Sequence, residues 1–293
     1  MNLPEKVHIT EVGPRDGLQM EKRVLPTDIK AELIAGLIDA GLRSIQVAAF
    51  VHPAKMPQMA DAEELIERLP YRAGVLYSAL TLNLKGVERA CRTSIPVIEI
   101  SLSASDAHGR RNAGLSLPQA LRETQTMSLS AVRAGRRLRA SIQCAFGYAD
   151  PSDVMVEQVV HIAQTLVDQG VEWLFLADTA GLATPHSVKQ MLTAILPIVG
   201  MVPVGLHLHD TRGYGESNVR TALEMGIAHF DTALGGLGGC PFLIGARGNI
   251  PTEGTVRLIH SMGIGTGIDI EKTAGWTQRL NRFFGRQDSP VSS

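Results

Sequence analysis

Cysteine is scarce in this chain, and the three cysteines lie far apart. Cys91, Cys144 and Cys240 are odd in number among 293 residues, and no two of them form a CxxC pair. A disulfide framework needs an even set of cysteines, and a metal knuckle needs cysteines in close pairs. The sequence therefore argues against both a disulfide-stabilised domain and a cysteine-based metal knuckle.

Long apolar runs and runs of like charge are missing as well. No apolar run approaches the roughly 18 residues that a membrane-spanning helix needs. The first ten residues, MNLPEKVHIT, show neither a signal-peptide core nor an Arg- and Ser-rich transit pattern. The net charge is −1, and the aromatic residues are not interleaved with lysine and arginine, so no nucleic-acid footprint is present. We expect a cytoplasmic protein without a membrane or nucleic-acid partner.

Hydrophobic residues are plentiful, at 44% of the chain, and many of them fall into eight short segments that indicate strands. Several of these segments are nearly continuous apolar runs, which is typical of parallel strands covered on both faces. The eight segments are residues 7–12, 44–50, 73–79, 96–103, 138–146, 172–178, 202–209 and 229–234.

Helical patterns separate these strand segments. Thr27 and Thr184 are predicted N-caps, Pro185 stands at a first helical position, and one helix is predicted to begin at Ser152 or Asp153. The clearest patterns cover residues 27–41, 152–170, 184–200, 217–226 and 252–263.

Strand and helix alternate eight times at roughly even spacing, which favours a parallel sheet. Eight such units fit the α/β class and the (β/α)8 TIM barrel, which needs about 250 residues. A doubly wound open sheet is the alternative. We find no linker before about residue 268. We therefore expect one domain over residues 1–293, with the barrel over about 5–267 and a C-terminal helix and tail over 268–293.

Polar side chains gather where the predicted strands end, and the seventh strand carries the clearest signal. Strand side chains alternate, so His207 and His209 point to the same face. With the carboxylate of Asp16 after the first strand and the amide oxygen of Asn249, they make a candidate site for Zn²⁺, Mg²⁺ or Mn²⁺. The alternative is that both histidines are hydrogen-bonded residues of the barrel core.

A cation and a carboxylate, Arg15 and Asp16, stand side by side in the stretch GPRDGLQ. Neighbours on a strand point to opposite faces, so both side chains reach one pocket only if the chain bends here. We expect Gly13 and Gly17 to permit that bend. The alternative is an ordinary turn with a solvated ion pair.

A glycine-rich stretch, GGLGGCP, surrounds Cys240. Three interpretations stay open for it. It is a flexible loop with a structural thiol, a phosphate cradle, or a mobile lid whose thiol acts as an acid or a nucleophile. The phosphate cradle is weakly supported, because no GKS/T follows and the spacing is not GxGxxG.

Several motifs together resemble the 3-hydroxy-3-methylglutaryl-CoA lyase family of metal-dependent TIM-barrel enzymes. They are GPRDGLQMEK (13–22), LADTAG (176–181), HLHDTRGYG (207–215) and GGLGGCPFLIGARGN (235–249). The resemblance runs over essentially the whole chain. It implies cleavage of the acyl-CoA 3-hydroxy-3-methylglutaryl-CoA to acetyl-CoA and acetoacetate with Mg²⁺ or Mn²⁺, by an enzyme that is a homodimer.

The resemblance also implies roles for individual residues. The family's metal ligands match Asp16, His207, His209 and Asn249, and the lysine that helps to hold coenzyme A matches Lys22. His207 or Asp16 would take the proton of the substrate hydroxyl. The family's catalytic arginine matches Arg15, which would stabilise the enolate. Its loop cysteine matches Cys240, the expected proton donor to the new acetyl group.

The second strand and the loop after the fifth depart from the family pattern. Gln46 stands where the family usually has a glutamate, and Val47, Ala48 and Ala49 replace small hydroxylated residues. The stretch CAFGYADPSD also differs from the usual loop. Two alternatives therefore remain. One is the same chemistry on a different 3-hydroxyacyl-CoA, and the other is a non-catalytic relative that binds metal and CoA.

Overall fold

The eight predicted strands form a closed parallel barrel. The computed structural model describes residues 3–240 and 243–286. Within these ranges it describes the side chains of all residues except those in the segment 239–247. Consecutive strands pair in parallel, and β8 pairs with β1 to close the barrel. The TIM-barrel prediction is confirmed, and the open-sheet alternative is wrong. The strands are β1 (His8–Glu11), β2 (Ser44–Ala49), β3 (Leu76–Thr81), β4 (Val97–Ser103), β5 (Arg137–Gln143), β6 (Trp173–Ala177), β7 (Val204–His207) and β8 (His229–Thr232).

Helices follow the strands and cover the barrel, and a short antiparallel hairpin of β9 (Gly239–Cys240) and β10 (Leu243–Arg247) follows β8. Within the described residues, no helix is long and apolar enough to cross a membrane. The helices are α1 (Thr27–Asp39), α2 (Ala62–Arg68), α3 (Leu84–Cys91), α4 (Asp106–Ala113), α5 (Leu117–Arg133), α6 (Val156–Asp168), α7 (Pro185–Ile195), α8 (Gly215–Glu224), α9 (Thr252–Ser261) and the C-terminal α10 (Ile270–Phe284).

One of the predicted helix starts is confirmed and two are wrong. The Thr184 hydroxyl accepts a hydrogen bond from the Ser187 N–H at 3.2 Å and caps α7. Thr27 is instead the first residue of α1, and its hydroxyl donates to Asp61 at 2.7 Å. Helix α6 begins at Val156, because residues 151–153 form a separate 3-10 turn.

Apolar burial explains why these elements pack as they do. Every residue of β4 is buried, and α6 buries Val159, Ile162, Ala163 and Leu166 at helical spacing. Removing such a side chain from water stabilises the fold by about 1.5–3 kcal/mol each. The barrel wall is therefore held between an outer helical layer and an interior that is partly polar.

Glu11, the last residue of β1, connects the first strand of the barrel with the segments that follow the last strand. Its carboxylate accepts hydrogen bonds from the Gly13 N–H at 2.8 Å, the Leu234 N–H at 3.0 Å and the Thr252 hydroxyl at 2.7 Å. Burial raises the pKa of Glu11 to about 8. The folded protein therefore keeps this carboxyl protonated at pH values at which the unfolded chain has already lost the proton.

This raised pKa predicts a stability change with pH. The contribution of Glu11 to the free energy of unfolding is fully present below about pH 4.5 and is lost as the pH rises towards about 8. Over this range the free energy of unfolding falls by at most about 1.4 kcal/mol per pH unit because of this group. Glu11→Gln mimics the neutral form, so its free energy of unfolding is expected to fall less over this range. Urea titrations at pH 5, 6, 7 and 8 measure both proteins. If the free energy of unfolding changed with pH in the same way in both proteins, the raised pKa of Glu11 would be contradicted.

Candidate active site

A π-helical turn directly after β1 brings Arg15 and Asp16 to one pocket. The Val12 carbonyl accepts hydrogen bonds from the N–H groups of Arg15 at 3.0 Å, Asp16 at 2.7 Å and Gly17 at 3.4 Å. The tight turn replaces the strand alternation that would separate the two side chains. Arg15 Nη1 then forms a salt bridge with Asp16 Oδ1.

The two glycines of this turn are needed for space and not for an unusual backbone conformation. Neither Gly13 nor Gly17 has a positive φ. A Cβ atom at Gly13 would lie 2.3 Å from Leu234 Cδ2, and one at Gly17 would lie 2.8 Å from Leu237 Cδ2. We expected these glycines to give the backbone the freedom to bend. The structure shows instead that they let the loop after β8 pack directly against the turn.

Asp16, His207 and His209 form a compact cluster at the C-terminal end of the barrel. One ligand atom from each lies within 4.8 Å of the other two, and the Nε2 atoms of the two histidines are 3.3 Å apart. Strand β7 ends at His207, and His209 lies just beyond it in an isolated bridge with Asn249. The strand is shorter than predicted, but both imidazoles still face the same site.

The fourth predicted ligand, Asn249, is held against this cluster by its amide nitrogen. Its Nδ2 donates to Asp16 Oδ2 at 2.8 Å and to the Leu237 carbonyl at 3.1 Å. Its Oδ1 is buried and has no hydrogen-bond partner in the part of the chain that the structure describes. A buried amide oxygen without a partner is costly, and a cation would supply that partner. The donor set therefore fits a divalent ion.

Charge states at the cluster also suit a cation. Burial alone would raise the pKa of Asp16, but the charges of Arg15, His207 and His209 hold it well below its usual range. Burial and the neighbouring His207 lower the pKa of His209 to about 4. At neutral pH the site therefore presents an ionised carboxylate and a neutral imidazole, the forms that bind metal ions.

A cavity of about 380 Å³ opens in front of the cluster. A volume in this range accommodates a small-molecule substrate group. Helix α4 contributes three polar side chains to its wall, His108, Arg111 and Asn112. The lining of the cavity therefore combines the candidate metal cluster with polar side chains from α4.

Three buried charged residues behind the cluster were not predicted from the sequence. Asp231 on β8 lies 3.3 Å from His207 Nδ1 and forms a salt bridge with Arg139. Arg139 Nε in turn lies 2.7 Å from Glu99 Oε2. Asp231 orients the His207 ring so that Nε2 faces His209, and its charge helps to raise the pKa of His207 despite burial.

Gln46 connects Arg15 to this buried charged group. Its Oε1 accepts a hydrogen bond from Arg15 Nε, and its Nε2 donates to Glu99 Oε2 at 2.6 Å. The amide thus fixes the guanidinium beside Asp16. A charged strand residue amid apolar neighbours, such as Glu99 in β4, was the available sequence signal for this network.

Three further residues of the family motifs differ in how the structure places them. Lys22 is exposed and does not line the cavity. The Cys240 backbone lies in the β9 strand, but its side chain lies outside the described residues. Asp178 accepts hydrogen bonds from the N–H groups of Leu182 at 2.7 Å and Ala183 at 3.1 Å. These contacts hold the turn after β6, and the same carboxylate also accepts a backbone hydrogen bond from His209.

A closed (β/α)8 barrel with a carboxylate–imidazole cluster at the C-terminal ends of its strands defines a TIM-barrel enzyme with a candidate metal centre. The HMGL-like family model matches residues 6–278, and the chain belongs to this family. The resemblance drawn from the motifs is thus confirmed, and the protein is an enzyme of the lyase class.

Relatives agree over nearly the full length of the chain. A hydroxymethylglutaryl-CoA lyase of Bacillus subtilis is 39% identical over 286 residues, which cover 98% of this chain and 96% of the relative. A crystal structure of a Bacillus subtilis HMG-CoA lyase has a TM-score of 0.95 at 37% identity, covering 99% of this chain and 98% of that one. The Acinetobacter baumannii lyase, solved with coenzyme A and 3-methylmalate, has a TM-score of 0.92 at 33% identity, covering 98% and 94%.

Proposed function

We propose that this protein cleaves 3-hydroxy-3-methylglutaryl-CoA to acetyl-CoA and acetoacetate with Mg²⁺ or Mn²⁺. The observation that carries the proposal is the cluster of Asp16, His207 and His209 in front of a substrate-sized cavity, in a chain of the HMGL-like family. The coenzyme A in the solved Acinetobacter baumannii lyase supports an acyl-CoA substrate.

In this proposal Asp16, His207, His209 and Asn249 hold the divalent ion. When bound, the ion would make the substrate's C3 hydroxyl more acidic, as metal ions do for bound water. The oxygen and nitrogen donors of these four residues suit Mg²⁺ or Mn²⁺. The Oδ1 of Asn249, which has no hydrogen-bond partner among the described residues, supports its place in the set.

The proposed proton acceptor is His207 or Asp16. Asp231 lies 3.3 Å from His207 Nδ1 and would stabilise a proton on that imidazole when Nε2 is not holding the ion. Asp16 would instead accept the proton on a carboxylate oxygen that is not holding the ion. Loss of the hydroxyl proton lets the C2–C3 bond break, and negative charge then collects on the thioester oxygen. Arg15 lines the same cavity and stabilises that charge.

Cys240 and Lys22 complete the proposal. Cys240 lies on the hairpin after β8, and we assign it the proton transfer to the carbon that becomes the acetyl methyl group. Lys22 is exposed near the turn that carries Asp16 and is assigned to coenzyme A. Both assignments depend on the family match.

An assay with a panel of esters tests the function. Purified protein is incubated with Mg²⁺ or Mn²⁺ and several 3-hydroxyacyl-CoA esters, and acetyl-CoA is measured. Release from the 3-hydroxy-3-methylglutaryl ester is the expected result. Release only from another ester would favour the second substrate class, which the sequence departures at Gln46 and Val47 suggested although neither residue lines the cavity. No release from any ester would leave a non-catalytic binder.

A pair of substitutions separates metal binding from proton transfer. His209→Ala is expected to weaken Mn²⁺ binding at least 100-fold in calorimetry, because it removes one of the clustered donors. Cys240→Ser is expected to slow turnover at least tenfold and to leave Mn²⁺ binding unchanged. Wild-type Mn²⁺ affinity in the first variant would remove His209 from the ligand set. Wild-type turnover in the second would end the proton-donor assignment.

We also propose that residues 1–293 form one domain, that the protein is a homodimer and that it is cytoplasmic. The continuous barrel from β1 to β8, with α10 packed on α1, supports the single domain. Thermal unfolding tests the first statement, and one cooperative transition is expected. Light scattering tests the second, with an expected mass of twice the chain, and cell fractionation tests the third, with the protein expected in the cytoplasmic fraction. Two separate transitions, a monomer mass or a membrane-bound fraction would contradict them.

A further inference from the structure

The barrel interior contains a second cavity, at the opposite end from the candidate active site. It has a volume of about 320 Å³ and opens at the N-terminal ends of the strands. Arg139 and Phe175 form the layer between the two cavities, with the guanidinium carbon 3.5 Å from the ring centre. Gly205 leaves room for that ring, since a Cβ atom there would lie 2.4 Å from it. We call the second space the lower cavity.

Cationic and hydrogen-bonding groups surround the entrance of the lower cavity. Lys6 and Arg43 lie in its wall and are exposed to solvent. His8 and His229 stack beside them with ring centres 4.9 Å apart. Within the described residues no carboxylate lines this cavity. An entrance with two cations, Lys6 and Arg43, and no acid in its lining attracts anions.

The inner part of the lower cavity contains an unused donor. Ser78 on β3 is 3% exposed, lines the cavity, and its hydroxyl has no hydrogen-bond partner within the described part of the chain. Buried hydroxyl groups are nearly always paired, because leaving one unpaired costs about 1–3 kcal/mol. The surrounding wall is largely apolar, with Trp173, Phe175 and Val97.

We propose that the lower cavity is a binding site for a small organic carboxylate. The cations at the entrance attract the anion, the Ser78 hydroxyl donates to a carboxylate oxygen, and the aromatic wall contacts a short carbon chain. A cavity of about 320 Å³ lies within the size range of small-molecule sites. The Arg139–Phe175 layer keeps this ligand apart from the proposed acyl-CoA site.

Fluorescence offers a direct test, because one of the two tryptophans lines the lower cavity. Trp276→Phe leaves Trp173 as the single tryptophan, and this variant is titrated with butyrate and with neutral butyramide. A saturable change in Trp173 emission with butyrate, at an affinity at least tenfold better than that of butyramide, is expected. No saturable change, or an equal response to both compounds, would overturn the proposal.

Substitutions in the same background locate the binding. Ser78→Ala is expected to weaken butyrate binding about tenfold, because a hydrogen bond to a charged group is lost. Lys6→Glu at the entrance is expected to weaken it at least threefold, whereas Lys189→Glu, an equal charge change on α7, leaves it unchanged. Wild-type affinity in both Ser78→Ala and Lys6→Glu would refute the site. The measurement needs no acyl-CoA turnover, so its failure would leave the proposed function intact.

Discussion

Replacement of Arg15 by glutamine is expected to lower kcat for 3-hydroxy-3-methylglutaryl-CoA by about 100- to 1000-fold, the usual effect of losing one donor to a developing oxyanion. Arg15 is 6% exposed, lines the cavity and is held by Asp16 and Gln46. Its guanidinium is therefore fixed before substrate arrives and needs little reorganisation when charge develops. Steady-state kinetics with saturating Mn²⁺ measure the effect.

Metal binding provides the control for this variant. Arg15 places a positive charge beside Asp16, so removing it is expected to leave Mn²⁺ affinity equal or higher in calorimetry. Arg15→Lys keeps the charge but loses the forked donor geometry, and an intermediate rate is expected. A wild-type kcat in Arg15→Gln would show that this side chain has no part in the reaction.

The barrel was predictable because its signals are local. Apolar runs and helical spacing repeat eight times, and every predicted strand has its counterpart in the sheet. The errors lie at the ends of helices and strands, where local polar contacts determine at which residue an element begins or ends. Asp150, for example, accepts hydrogen bonds from the N–H and the hydroxyl of Ser152 and starts a separate turn before α6. Such a contact competes locally with the helix and leaves no periodic pattern.

The candidate site was predictable only in its outer part. Asp16, His207 and His209 stand at strand ends, where barrel enzymes place their reacting groups. Arg139 and Asp231 stand within strands 92 residues apart in the chain, and only closure of the barrel makes them partners. A single sequence shows such charges within apolar strands, but it does not show which of them become partners.

Gln46 shows how a departure from the family pattern fits the buried network. Its amide both accepts from Arg15 and donates to Glu99. A glutamate at this position would only accept when ionised, and it would place a second carboxylate next to Glu99 in a buried site, which is unfavourable. The amide therefore keeps the chain of contacts from Arg15 to Glu99 complete and holds the guanidinium in place beside Asp16.

Arg139→Met is expected to cost about 3–5 kcal/mol in the free energy of unfolding, because it leaves buried carboxylates without their cation. The Arg139 side chain is 5% exposed, and those of Glu99 and Asp231 are 3% exposed. Removing the guanidinium also takes a packing partner from the Phe175 ring. Urea unfolding followed by far-UV circular dichroism at pH 7 measures the loss.

Two comparisons show whether the loss comes from buried charge. Arg137, two residues earlier on β5, pairs with Glu172 at 2.7 Å but is 47% exposed, so Arg137→Met is expected to cost less than about 1 kcal/mol. The triple variant Glu99→Gln, Arg139→Met, Asp231→Asn removes the charges together and is expected to recover part of the stability lost in Arg139→Met alone. If Arg139→Met instead unfolds within about 1 kcal/mol of the wild type, the network is not electrostatically coupled.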